Sequence, residues 1–479
     1  MNIIQSYFNK NITIDNIDYA GGYLSPIVNW LSMAYSCLLL KKYNPHDRLI
    51  FYGNQDMIHL FDSLFHLPYD EFHTVECKGE YAEWFYCWPK ILTYENQREA
   101  FIHIDNDIFM WKRLPDRLRE APLVAQHQER DSKFYIDVYN QLIKDNISIP
   151  SCLNSCYDGT YISSYNAGLL GGNDISFLRE YISEIRRFID SNRHKIAVSD
   201  RKFLYNVVFE QWLFFGLTKQ QRKTVKTFYH TPITDFDMVE AHVPSQILSL
   251  GALEYLHVME HKDNIRCNRF IAYKMQSEFP KEYERVLSVC NDMGIKSSFF
   301  SSYSDNLEKD LDPFHRSDKL KALYNMSEVD LREIKQFEKD SLKIVERCLR
   351  QRENLIEYQI GHNAIIDSIR ENKLSNLNIS LVLNPYLEII EAAPSLVRSL
   401  LYNSKKAPLS SMLILRLYNP IFNHVDEFIW SKQKFQLLMS ILKEYKIENL
   451  FRSHENCKLN QIGTFVKQCI FDGIITFRQ

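Results

Sequence analysis

The chain has 479 residues, 45% hydrophobic and 24% charged, a globular composition too long for one ordinary core and pointing to two or three domains. Its 57 Lys plus Arg nearly balance 60 Asp plus Glu, so a net charge of -3 gives no global attraction to nucleic acid or anionic membrane, and disorder as the main state is excluded. With only 14 Gly, there is little room for long flexible linkers or a glycine-rich phosphate loop.

Over roughly the first 260 residues, short apolar runs alternate with amphipathic stretches, as in a layered α/β domain. Residues 3–8 read as a strand, 27–43 as a helix, 49–52 as a strand, 56–65 as a helix, 72–75 as a strand, 84–94 as a helix and 100–104 as a strand. Residues 163–170 read as a strand closed by a Gly171-Gly172 turn, while 175–192 and 202–217 have helical periodicity. The segment 297–319, rich in Ser, Asp and aromatics, marks a linker. The charged, Pro-free stretch 327–373, with an apolar stripe from Leu331 to Ile356, reads as a long connecting helix. Strands follow at 379–383, 387–391 and 413–418, then helices at 432–445 and 459–471, Gly473 at a helix C-cap, and a strand at 474–477. The expected division is 1–295 for the α/β domain, 296–373 for linker and connector, and 374–479 for an accessory α/β domain.

The ten cysteines are scattered, and the closest pair, Cys152 and Cys156, lacks partners at zinc-site spacing, so reduced buried thiols are expected. The chain does not open on a basic stretch followed by an apolar run, and no window approaches the ~18 uninterrupted apolar residues that span a bilayer. The expected location is the cytoplasm.

The chemistry concentrates in Phe101-Ile-His-Ile-Asp-Asn-Asp-Ile-Phe-Met-Trp111. A buried strand delivers Asp105 and Asp107 at its carboxyl end, where open α/β sheets bind ligands. Two carboxylates separated by one residue can share a divalent cation, which then neutralises a diphosphate. The same spacing occurs at Asp235 and Asp237 and at Asp310 and Asp312, but only the Asp105 copy follows a strand.

This stretch resembles the Asp-x-Asp motif of nucleotide-sugar glycosyltransferases with the GT-A fold. Ile3-Ile-Gln-Ser-Tyr7 resembles that fold's first strand and Leu49-Ile-Phe-Tyr-Gly-Asn54 its second. Asn166-Ala-Gly-Leu-Leu-Gly-Gly172 is similar to the segment bordering the donor sugar, and Phe209-Glu-Gln-Trp212 to the acidic-Gln helix start beside the reacting centre. Leu256-His-Val-Met-Glu-His-Lys262 resembles the late His segment of glycogenin-like members, although they carry Gly where this chain has Glu260. The late ligand is therefore His257 or His261. The resemblance covers residues 1–265 and implies a GT-A-like, Rossmann-type mixed sheet with helices on both faces. It further implies Mn²⁺ or Mg²⁺ on Asp105, Asp107 and His257, and a UDP-sugar donor contacted by Tyr7, Lys90, Asp105, Asn166, Gly171, Gly172 and Lys262. Glu210 and Gln211 stand at the reacting centre; Glu210 is the general base if the reaction inverts configuration.

A strand ending in Asp-x-Asp also opens haloacid-dehalogenase-type phosphatases, but Phe109 stands where that family wants Thr or Val, and no Asp-Asp dipeptide occurs. P-loop and Gly-x-Ser-x-Gly motifs are absent. The order of helix, glycine and strand over 458–477 is winged-helix-like, with too few cations for nucleic acid and better suited to binding protein or pairing two copies. The expectation is thus a metal-dependent glycosyltransferase acting on a saccharide, a lipid-linked intermediate or a peptide. Its alternative is a binding protein with a degenerate transferase-like domain and a working tail.

Overall fold

A computed structural model describes residues 1–9, 12–77, 79–234, 254–295, 380–392, 412–419, 424–444 and 457–478, with isolated positions between 332 and 366. The expected linker at 297–319, most of the connecting helix at 327–373 and the Asp-x-Asp copies at 235 and 310 lie outside them. The chain divides into two compact units: residues 1–17, 32–244 and 254–261 form the first, and 18–31, 245–253 and 262–479 the second.

The first unit is built on a mixed sheet. Its strands are β1 (Asn2–Tyr7), β2 (Arg48–Gly53), β3 (Glu71–Thr74), β4 (Phe101–Ile104), β6 (Leu123–Ala125), β9 (Leu169–Gly172) and β10 (Val225–Thr227), in the order β10-β6-β9-β4-β1-β2-β3. All neighbours pair in parallel except β9, which runs antiparallel to both β4 and β6. All four residues of β4 are buried, which is why that strand reads as a short continuous run rather than an alternation. Smaller ladders join β7 (Gln128–Asp131) to β8 (Ile162–Tyr165) and β11 (Ile233–Thr234), and β5 (Ile108–Met110) to β12 (Tyr255–His257).

The helix Ile175–Val198 shows how sequence period becomes packing. Asp174 caps it by accepting from Phe177 N. Leu178, Tyr181, Ile182, Ile185, Phe188, Ile189 and Ile196 repeat at three- and four-residue steps and are buried, each large apolar side chain contributing roughly 1.5–3 kcal/mol.

Four local expectations change, the first being the helix expected over 56–65, which is α-helical only over Gln55–Ile58 and π-helical over His59–Leu64. The helix expected over 84–94 is two, Glu80–Trp84 and Trp88–Glu95, with Pro89 in the first turn of the second. The segment 163–172 is two strands, and Gly171 and Gly172 form no closing turn: they are buried inside β9, opposite Ile102 and Phe101. A Cβ on Gly171 would stand 2.2 Å from Phe101 O, and one on Gly172, whose φ is +136°, 2.0 Å from Pro122 O. Close strand approach demands glycine there. Finally, 202–217 is not one regular helix, because Val208–Trp212 is π-helical between Tyr205–Val207 and Leu213–Gln220.

In the second unit, the helices Ile265–Glu278 and Pro280–Asp292 precede β13 (Ser380–Leu383), β14 (Glu388–Ala392), β15 (Met412–Asn419), β16 (His424–Ser431) and β17 (Ile475–Arg478). β14, β15 and β16 form an antiparallel sheet, while β13 pairs antiparallel with β17. The helices Lys432–Glu444 and Cys457–Phe471 flank these strands in sequence, and Gly473 at φ +72° ends the second, with Ile474 N donating to Cys469 O at 2.9 Å. Arg269 and Asp426, both almost fully buried, form an ion pair in this unit. Among the described residues no helix is long and apolar enough to cross a membrane.

Candidate metal and donor site

The site begins where β4 ends. Asp105 N donates to Gly168 O at 2.9 Å, Ile108 N closes a turn onto Asp105 O at 3.2 Å, and Asn106 Nδ2 donates to Ser6 O at the end of β1 at 2.7 Å. A buried polar chain fixes the far side of this turn. The Tyr69 hydroxyl donates to Gln5 Oε1 at 2.8 Å, Gln5 Nε2 to Ser36 Oγ at 2.9 Å, and Ser36 Oγ to Ile108 O at 2.6 Å. Register then supplies the third donor, because β12 pairs with β5 so that His257 faces Ile108 and Val258 N donates to Asp107 O at 3.1 Å.

One donor atom each from Asp105, Asp107 and His257 lies within 4.8 Å of the others, and His257 Nε2 is 3.2 Å from Asp107 Oδ1. Among the described residues this is the one group of three or more potential donors so arranged, and His261 is not part of it. Two carboxylates and an imidazole suit a hard to borderline divalent cation.

Lys90, on the helix Trp88–Glu95, reaches Asp105 Oδ1 at 2.7 Å, Glu210 Oε1 at 2.8 Å and Ala167 O at 2.8 Å. Burial works against its ammonium, but Asp105 and Glu210 outweigh it and hold the pKa well above the ordinary lysine value. Burial pushes the Asp105 carboxyl up, with Lys90 pulling it down and Asp107 adding to the rise. Burial, assisted by Lys90, keeps His103 neutral beneath them, with its Nε2 2.8 Å from Ser6 Oγ.

The π-helical turn aims two consecutive side chains apart. Glu210 meets Lys90, whereas Gln211 Oε1 lies 2.6 Å from the Tyr135 hydroxyl. The buried Tyr181 hydroxyl ties this turn to the neighbouring helix, donating to Glu210 O at 2.6 Å with Phe209 O at 3.1 Å. Beyond Gln211, Tyr135 also contacts Glu129, which accepts from Asn166 Nδ2 at 2.8 Å and lies 3.3 Å from His127 Nε2. Burial opposes the Glu129 carboxylate, yet His127, Tyr135 and Asn166 outweigh it and hold its pKa below the ordinary glutamate value.

The structure thus gathers Asp105, Asp107, His257, Lys90 and Glu210 in one network, with Asn166 and Gln211 joined through Glu129 and Tyr135. Tyr7 ends β1 opposite Gly53. Gly171 and Gly172 face the interior of β4, upstream of Asp105, and do not join the network. Lys262 belongs to the second unit, its ammonium 5.5 Å from the Tyr23 ring centroid. Residues 126–129, Gln-His-Gln-Glu, escaped the sequence reading although a polar run directly after the apolar β6 repeats the strand-then-carboxylate pattern of Asp105. Gly168 escaped too.

Residues 1–289 match the sequence profile of a family described as a family of unknown function, DUF6734. No curated protein matches the sequence significantly. Among solved structures, the galactosyltransferase LgtC in complex with donor and acceptor sugar analogues is 12% identical over 43% of this chain and 70% of its own, with a TM-score of 0.25. The glycosyltransferase GlyE of Streptococcus pneumoniae TIGR4 is 12% identical over 61% of this chain and 64% of its own, with a TM-score of 0.30.

Proposed function

We propose that this chain, which belongs to the DUF6734 family of unknown function, is a metal-dependent glycosyltransferase using a nucleotide diphosphate sugar, first of all a UDP-sugar. The observation carrying this reading is the meeting of Asp105, Asp107 and His257 beyond the carboxyl end of β4 in a mixed α/β sheet, where such sheets bind ligands. These residues would hold Mn²⁺ or Mg²⁺. A cation bound there supplies charge neutralisation for the departing nucleoside diphosphate.

The remaining roles belong to the chain's own groups. Lys90, already between two carboxylates, sets a second positive charge beside the diphosphate. Asn166, Glu129 and Gln211 offer hydrogen bonds to sugar hydroxyls, and Tyr7, at the end of β1, offers a ring face to the base. Glu210 stands on the acceptor side as general base if configuration inverts; under retention its carboxylate stabilises positive charge developing on the sugar. The acceptor is a saccharide, a lipid-linked intermediate or a peptide, and the winged-helix-like ending of the second unit is proposed to recognise it or a second copy of the chain.

A mass-spectrometric screen of UDP- and GDP-sugars, scoring donor hydrolysis with Mn²⁺ and with EDTA, tests this reading without an acceptor. Hydrolysis of at least one donor with Mn²⁺ and not with EDTA is expected. Absence of both hydrolysis and donor binding would favour the binding-protein alternative.

A further inference from the structure

We propose that Gln126 is a positioning residue that keeps the proton of His257 on Nδ1 and thereby presents Nε2 to the cation shared with Asp105 and Asp107. The inference rests on the metal-site reading above and assigns a role to a residue outside the three donors.

Gln126 is buried and pinned at both ends of its peptide unit, its N donating to Asn166 O at 3.1 Å and its O accepting from Tyr229 N at 3.0 Å. Its side-chain oxygen faces two groups, the Tyr255 hydroxyl at 2.8 Å and His257 Nδ1 at 2.8 Å. Its side-chain nitrogen faces His127 Nδ1 at 3.3 Å. A tyrosine hydroxyl carries its proton at neutral pH and donates it to Oε1. With Tyr255 donating to Oε1 and the amide donating to His127, Oε1 is an acceptor toward His257, and Nδ1 must carry hydrogen. The lone pair available to a cation is then on Nε2, the nitrogen already 3.2 Å from Asp107 Oδ1.

Gly168 makes this contact possible. A Cβ there would stand 2.4 Å from Gln126 Oε1, 2.5 Å from His257 Cε1 and 2.7 Å from His257 Nδ1. The same residue's carbonyl receives Asp105 N, and its N is held by Asn166 Oδ1 at 2.9 Å. One glycine therefore serves a carboxylate ligand through its backbone and the imidazole ligand through its missing side chain. Outer partners of metal-binding His act in this way, by fixing tautomer and ring orientation.

Two measurements on the full chain test the proposal. Manganese alone, titrated and read by electron paramagnetic resonance of the free ion, should bind Gln126→Met about 10- to 100-fold more weakly than wild type, and Gln126→Glu, which keeps an acceptor, should recover most of the loss. Nitrogen-15 NMR of the metal-free protein, with the His257 signals assigned by their loss in His257→Ala, should show Nδ1 protonated in wild type and no longer held so in Gln126→Met. Manganese affinity of Gln126→Met within twofold of wild type would overturn the inference. So would a neutral wild-type His257 protonated on Nε2, a readout that needs no folded Gln126 variant. Wild type failing to bind manganese would instead defeat the metal-site reading, and the tautomer would still decide the role of Gln126.

Discussion

Lys90 Nζ lies 2.8 Å from Glu210 Oε1 and 2.7 Å from Asp105 Oδ1, so one cation joins a helix, a strand end and a π-helical turn. Replacing it by Met leaves two carboxylates sharing a poorly solvated space. Removing one partner of a fully buried pair costs about 3–5 kcal/mol, and the part-exposed Asp105 lowers the expected loss to on the order of 2 kcal/mol. Urea denaturation of Lys90→Met and Lys90→Arg checks this: the Met variant should lose stability and the Arg variant much less. Equal stability of Lys90→Met and wild type would show that the pair carries no net structural load.

Tyr181→Phe tests the turn behind Glu210. It removes the donor to the carbonyls of Glu210 and Phe209 without changing the ring. Losing one buried hydrogen bond of this kind costs about 0.5–1.5 kcal/mol. Thermal unfolding should register that loss. Donor turnover should fall as well, because Glu210 is aimed by the same turn. Lost stability with unchanged turnover would limit Tyr181 to folding.

Glu129 predicts a pH dependence. Its folded-state pKa is depressed by His127, Tyr135 and Asn166 against the effect of burial, so its ionisation stabilises the fold above the unfolded pKa of about 4.3 and that contribution fades as pH falls through the lower folded value. The stability gap between wild type and Glu129→Gln should be full near pH 7 and shrink below about pH 4. Chemical denaturation at both pH values measures it. A gap that widens in acid would reverse the assigned sign.

Asp426→Ala leaves the buried Arg269 without its carboxylate in the second unit. Breaking a buried ion pair costs about 3–5 kcal/mol, and the charge of Asp472, which also acts on Arg269, puts the expected loss at the lower end. Calorimetry should show a clearly lowered unfolding transition, whereas Asp426→Asn, which keeps a hydrogen-bond acceptor, should fall between.

Much of this architecture is legible before any coordinates. The run Phe101 to Ile104, buried on both faces, and the period of Leu178, Ile182, Ile185 and Ile189 are local patterns that survive in the fold. Gly473 likewise announces its helix end. What escapes is set by long-range pairing. The reason for Gly171 and Gly172 appears only when β9 is inserted between β4 and β6, since their sequence fits a turn equally well. Val208–Trp212 is apolar enough for an ordinary helix, and its π-helical turn is coupled to Tyr181, which lies on another helix. His257 is a different case: the resemblance already names it as a ligand, and the pairing of β12 with β5 is what brings it to Asp107.

The decisive measurement is titration calorimetry of UDP into the full chain with Mn²⁺ and with EDTA, for wild type, Asp107→Asn and Asp235→Asn. Asp107 is a carboxylate at the site rather than core volume, so its amide should fold normally. Wild type and Asp235→Asn should bind UDP with Mn²⁺ and much more weakly with EDTA, while Asp107→Asn should lose most of the Mn²⁺-dependent gain. UDP affinity that is the same with Mn²⁺ and EDTA in wild type, or unchanged by Asp107→Asn, would contradict a nucleotide-sugar site built on Asp105, Asp107 and His257.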